Sequence, residues 1–268
     1  MYSGKVSVNF YCMKRDGDEN ILFAEKIKSQ LSGLKNTELD STLTLLANME
    51  TTEGEQFQEN NITDGEETEK GFGSVQILDR PYLIARSLVH CYPPCDIVEF
   101  DENGQAKGDF HAVIIGFGKI GQAVLKNLFL NGQFSDRPFK AEIFDPDYEN
   151  VSGYIKKRCP ALMNNYLCPE IKPHLFSAGN EKFYEVLDSI KGDNLYIVVC
   201  TGDKETDRET AKDIMAVTGR EVYECSYDGI ICNSKGKIHK NRIYCRDLLD
   251  VEKADQTAMM FNQVYTDA

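Results

Sequence analysis

Residues 111–128, HAVIIGFGKIGQAVLKNL, join a strand, a glycine turn and an amphipathic helix, and the chemistry they suggest is the holding of a phosphate. The apolar run 112–115 predicts a strand. Gly116, Phe117, Gly118, Lys119, Ile120 and Gly121 make a GxGxxG turn that opens the helix. In such a turn Gly116 allows the tight bend, Gly118 lets the backbone approach a pyrophosphate, and Gly121 lets the helix pack close to the sheet. The helix N-terminus then offers N–H groups and a partial positive charge. A second strand, AEIFD, ends in Asp145, where a carboxylate accepts hydrogen bonds from a ribose diol. The loop NGQFSDRPFK (131–140) stretches the spacing beyond the usual value of about 20 residues. Strand before, helix after and acid beyond together make a dinucleotide-binding fingerprint. The expected cofactor is therefore NAD or an adenine nucleotide.

A carboxylate at 145 favours a ribose with free hydroxyls and repels a 2′-phosphate, so NAD(H) is expected over NADP(H). Lys156, Lys157 and Arg158 reverse that preference only if they turn back toward the pocket. AMP, ADP and ATP satisfy the same phosphate and ribose contacts.

Groups suited to catalysis are scattered. His174, Cys200, Asp203, Tyr227 and Asp228 are the candidates, and Cys200 and Asp203 fall at the carboxyl end of a strand, where open α/β sheets bind ligands. Cys200 ends an apolar run and reads better as a buried small hydrophobe than as a nucleophile. No Ser-His-Asp order, lysine-based site or carboxylate pair stands out, so the catalytic residues are unknown. A dehydrogenase also needs a substrate pocket, and few residues follow the fifth strand. The expectation is a nucleotide-binding sensor, ahead of an NAD-dependent oxidoreductase and of a ligand-free scaffold.

The elements that position these residues follow from periodicity. Residues 5–11 alternate as a strand and 21–34 carry apolar residues at helical spacing. Residues 50–70 hold eight acids and one lysine, a mobile loop or a contact for a basic partner. A strand is expected at 72–78, a helix at 80–92 closed by Pro93 and Pro94, and a short strand at 96–100. From 109 onward strands at 112–115, 141–145, 174–177, 195–200 and 221–226 alternate with helices at 119–130, 149–158, 181–190 and 205–218. Helical crossovers between strands imply a doubly wound parallel sheet. A hairpin about 234–236 and a helix at 254–265 close the chain. The expected architecture is α/β: a degenerate α/β region over 1–108, a Rossmann-like domain over 109–250 and a C-terminal helix over 251–268.

Composition bounds the rest. The 268 residues carry 41% hydrophobic and 27% charged side chains, as soluble globular proteins do. No apolar run is long enough to span a membrane, and the N-terminus lacks a signal-peptide pattern, so a cytoplasmic protein is expected. The net charge of −13 disfavours nucleic acid, despite the basic run 235–242. The nine cysteines are odd in number and form no CxxC pair. Cys91 and Cys95, beside His90, lack the further ligands a structural zinc needs, so no metal is expected.

At GFGKIG, Asp145 and CTGDKETD (200–207) the chain resembles the RCK/KTN (TrkA-N-like) family of nucleotide-binding regulatory domains. The resemblance covers roughly 109–226. It implies that Gly116, Gly118, Gly121 and Asp145 hold the nucleotide, and that Thr201, Gly202 and Asp203 form a loop that closes over it. It also implies a homodimer. The first half resembles the matching half of tandem members of this class, and the last helix resembles the start of an appendage related to ryanodine-receptor repeats. The acidic loop and that helix are the surfaces expected to meet a partner protein.

Overall fold

A computed structural model describes residues 6–14, 16–32, 39–46, 74–135, 137–163, 170–190, 194–227, 231–235 and 238–239. The acidic loop at 50–70, Asp228 and the helix expected at 254–265 lie outside the described residues. The chain forms two compact units, Met1–Arg80 and Pro81–Ala268.

In the first unit β1 (Val6–Cys12), β2 (Leu39–Leu46) and β3 (Ser74–Leu78) form a parallel sheet in that order. Helix α1 (Gly17–Ser32) crosses from β1 to β2. Ile21 and Ala24 of α1 are buried with Cys12, Leu43 and Leu45 of the strands, and Phe10, Ile27 and Ile77 pack against them. The buried Asn20 accepts the Lys14 N–H at 2.9 Å and donates to the Lys14 carbonyl at 3.0 Å, which fixes the turn into the helix. Strand β2 was not among the elements expected from the sequence.

Helix α2 (Arg80–Cys91) begins with the last residue of the first unit and otherwise belongs to the second; it has Pro81 at its start, where a missing N–H costs nothing. Residues 96–100, expected as a strand, divide. Pro94–Ile97 is a 3₁₀ turn, and only β4 (Glu99–Phe100) is extended, pairing antiparallel with β5 (Ala106–Lys107). The main sheet then builds from β6 (Phe110–Ile115), α3 (Lys119–Asn131), β7 (Lys140–Phe144), α4 (Tyr148–Val151), α5 (Gly153–Arg158), α6 (Pro160–Met163) and β8 (Glu170–His174). It continues through α7 (Glu181–Ser189), β9 (Asn194–Val199), α8 (Lys204–Thr218), β10 (Val222–Cys225), β11 (Ile231–Asn233) and β12 (Ile238–His239).

The strand order is β12-β11-β10-β9-β6-β7-β8. From β10 through β8 neighbours run parallel, and β11 and β12 add on antiparallel as the expected hairpin. The result is a mixed α/β fold with a mostly parallel sheet flanked by helices. Side chains alternate across the sheet. Val113, Ile115, Phe144, Ile197 and Val199 form a core with Phe183 and Leu187 of α7 and Ala211 and Ile214 of α8. In β9 Tyr196 alternates with these residues. It is fully buried and donates its hydroxyl to the Tyr92 carbonyl at 2.6 Å. No described helix is long and apolar enough to cross a membrane.

Two further expected elements differ. The third strand, read at 174–177, lies at Glu170–His174 and contains Pro173. At the end of the described sheet the missing N–H is tolerated, as it would not be in a central strand. The helix read at 149–158 is two short ones, α4 and α5, divided at the buried Ser152.

Candidate functional site

Strand order reverses between β6 and β9, because the chain leaves β6 toward β7 and β8 and returns on the opposite side. Crossovers diverge at such a point and open a crevice at the carboxyl ends of the strands. The glycine turn leaves β6 here, Asp145 follows β7, and Cys200 and Thr201 follow β9.

Each turn glycine has a distinct reason. Gly116 has φ +89°, and a Cβ there would meet the Cys200 carbonyl oxygen and the Thr201 Cα at 2.7 Å. Both conformation and space require glycine at this position. A Cβ on Gly121 would stand 2.1 Å from the Gly116 carbonyl oxygen, so α3 lies directly against the turn. Gly118 is different: its φ is −62°, and a Cβ would meet nothing within 4 Å. No internal contact explains a glycine there.

The turn is held from three sides. Asp145 Oδ2 accepts the Phe117 N–H at 2.5 Å, while Oδ1 accepts the Asp147 N–H at 2.8 Å. Gln122 donates to the carbonyls of Phe117 (3.1 Å) and Val151 (2.8 Å). The Cys200 thiol donates to the Gly116 carbonyl at 3.3 Å. The Phe117 ring is buried and stacks on Tyr148 with centroids 5.2 Å apart. Lys156 lies over that tyrosine ring, 5.2 Å from its centroid. Lys119 and Ile120 begin α3, Ile120 buried under the turn.

Thr201, Gly202 and Asp203 form the opposite bank. Gly202 has φ +95° and open space about it. Asp203 caps α8 by accepting the Thr206 N–H at 2.8 Å, and hydrogen bonding by the Thr206 hydroxyl, then by this N–H, holds its carboxyl below the usual range. Sequence reading missed the residue beneath this loop. Asp207, 1% exposed, accepts both the Thr201 N–H (2.8 Å) and the Thr201 hydroxyl (2.6 Å) on Oδ1. Burial pushes its carboxyl up, against the opposing pull of the Thr201 bonds. The segment CTGDKETD contained it, but an acid in a first helical turn reads as a surface partner of the helix dipole.

Two candidate catalytic groups are occupied otherwise. Burial, with Asp207 and Asp145 nearby, pushes the Cys200 thiol far up, the opposite of an activated nucleophile. His174 Nε2 binds Glu142 Oε2 at 2.6 Å, and its ring stacks on Phe144 at 4.5 Å. Glu142 in β7 is 3% exposed and also lies 3.4 Å from His111 Nε2 in β6. Burial works to raise its carboxyl, but the hydrogen bonds and charges of His111 and His174 outweigh it and hold the group below the usual Glu range. Tyr227 is half-buried beyond β10. Among the described residues no cluster of His, Cys, Asp and Glu has the geometry of a metal site. Comparison with protein-family models, curated proteins and solved structures finds no match to this chain.

Proposed function

We propose that this chain is a nucleotide-binding regulatory protein of RCK/KTN type that takes NAD(H) or an adenine nucleotide at the carboxyl ends of β6, β7 and β9. The scaffold in this reading is Rossmann-like and doubly wound. In chain order β8-β7-β6-β9-β10 is third, second, first, fourth, fifth, the arrangement of dinucleotide-binding sheets. The observation that carries it is the contrast among the glycines. Gly116 and Gly121 are required by their neighbours, whereas Gly118 faces open space at the start of a helix that no side chain caps. The Asp145 carboxylate stands beside the same turn, where a ribose would meet it.

The buried Cys200 thiol and the engaged His174 favour a site that holds a ligand over one that transfers protons. A sensor then works by differential affinity. Ligand spanning the glycine turn and the 201–203 loop stabilises whichever state brings those two banks together. A homodimer, which light scattering would detect, belongs to the same reading.

The test is a thermal-shift panel with NAD⁺, NADH, NADP⁺, AMP, ADP and ATP. Ligand at about 100 times its Kd adds about 2.7 kcal/mol of stability. For a protein of this size that is a rise of several degrees. No shift with any of the six overturns the reading.

A further inference from the structure

The chain holds two Asn-Gly pairs, Asn103-Gly104 and Asn131-Gly132, each followed by glutamine. Such a pair is reactive because glycine has no Cβ to shield its amide nitrogen. Once that nitrogen gives up its proton to solvent base, it can attack Cγ of the asparagine before it. The Cγ–Nδ2 bond breaks, ammonia leaves and a cyclic succinimide remains. Water then opens the ring. Opening at Cγ leaves aspartate. Opening at the main-chain carbonyl leaves isoaspartate, in which the chain runs through the side chain. The reactant is water, and nothing is oxidised or reduced.

Local sequence is similar at the two pairs, so the fold decides between them. Asn103 and Gly104 lie exposed at the tip of the β4–β5 hairpin, whose strands pair over two residues each. Gly104 has φ +76°, and a Cβ there would meet nothing within 4 Å. The Asn103 amide group makes no hydrogen bond among the described residues. One bond ties down the attacking nitrogen: the Gly104 N–H donates to the Asp101 carbonyl at 3.0 Å. Opening a loop tip costs little.

Asn131 ends α3, and its Nδ2 donates to the Asn127 carbonyl at 2.8 Å. Gly132 is buried and donates its N–H to the Leu128 carbonyl at 2.7 Å. The Phe110 ring stands 2.6 Å from the place of its missing Cβ. Attack here requires the end of α3 to unwind and leave Phe110.

We propose that Asn103 is a site of spontaneous covalent modification: in the folded protein it converts to isoaspartate and aspartate, the isoaspartate opens the β4–β5 hairpin, and Asn131 is protected. Asp101 Oδ1 accepts the N–H groups of Asn103 (2.8 Å) and Gln105 (2.9 Å), and the Asp101 N–H donates to the Gln105 carbonyl at 2.8 Å. An extra main-chain carbon at 103 puts Gln105 out of register with Asp101. The new carboxylate also stands beside Asp101 and Glu102, three like charges in a row. Phe100, which meets Phe134 edge-on at 5.8 Å, then loses the strand that holds it.

The test is ageing of the full chain at mildly alkaline pH, native and in urea, with the free peptide FDENGQAK as the clock. Peptide mass mapping scores the amide-to-acid mass gain and the isoaspartyl fragments. Native Asn103 is expected to convert at least about tenfold faster than Asn131, which needs only about 1.4 kcal/mol of difference in opening. In urea the two should agree within about twofold, since no fold is left to separate them. Aged protein should be cut by trypsin after the exposed Lys107 faster than fresh protein, and Asn103→Ser should abolish both the mass gain at 103 and that acceleration. Native Asn103 unconverted when the peptide is consumed overturns the proposal, as do equal native rates at the two sites. Isoaspartate at 103 without faster cleavage overturns the opening of the hairpin.

Discussion

The Asp145 carboxylate accepts the Phe117 N–H at 2.5 Å, so the acid that ends the second strand of the main sheet also ties down the middle of the glycine turn. One side chain thus holds the shape of the turn and, in the proposed reading, meets the ribose. Asp145→Ala should cost about 1.5–3 kcal/mol of stability through that charged hydrogen bond. Urea unfolding without ligand measures this share. A further loss of nucleotide affinity in the folded variant measures the other.

Gly118 and Gly116 should separate folding from binding. Gly118→Asp meets open space at a φ of −62° and supplies a capping carboxylate, so stability should hold or rise by a few tenths of a kcal/mol. Phosphate binding should be lost through bulk and like charge. Gly116→Ala should instead destabilise by at least about 1–3 kcal/mol, because its φ of +89° and its neighbours at 2.7 Å both resist a Cβ. Thermal melts with and without nucleotide distinguish the two. A Gly118→Asp protein that binds as before would place the ligand elsewhere.

Glu142 gives the protein an acid-sensitive contribution. Its folded carboxyl is held below the usual Glu range, so the stability it adds is present above the unfolded value of about 4.3 and is lost as pH falls through the lower folded value. Glu142→Gln should flatten that part of the stability–pH curve. At neutral pH it should also cost about 1.5–3 kcal/mol, because it removes the charged partner of the His174 hydrogen bond. Unfolding free energies between pH 7 and pH 3 provide the check.

Asp207 carries the opposite sign. Its folded carboxyl is raised by burial, so the protein gains stability as that group protonates and loses it as pH rises through the raised value. Asp207→Asn should therefore be no less stable than the parent at pH 7, with its advantage shrinking toward acid pH. A clear loss at pH 7 would mean that the Thr201 bonds need the charge.

The cysteines should divide by exposure. Cys95 is exposed, whereas Cys200 and Cys225 are buried with thiols pushed far up by burial. A thiol reagent at pH 8 should label Cys95 in the native protein and leave Cys200 and Cys225 untouched until unfolding. Peptide mass mapping reads the outcome directly.

What the sequence made legible was local. A strand, a glycine turn and a helix adjoin in the chain, and their spacing alone placed β6, α3 and the acid after β7. Pro173 misled the reading because a proline argues against a strand unless the strand is marginal to its sheet, and position in the sheet is a property of the whole fold. The Glu142 contacts were invisible for the same reason. His111, Glu142 and His174 belong to three strands, and only the parallel register brings them together. Asp207 lay within a segment already singled out, but its burial comes from the folded loop at Thr201, not from its place in the helix.

Pro173 has a consequence for how the folded protein meets other chains. A strand with a free flank offers its N–H and C=O groups as a template for another strand, the first step of edge-to-edge aggregation. Strand β8, which ends the sheet among the described residues, offers one donor fewer at Pro173 and places the exposed ammonium of Lys172 beside it. Both features discourage a second sheet from docking in register. If copies of this chain associate, that flank is badly suited to continuing the sheet from one molecule into the next.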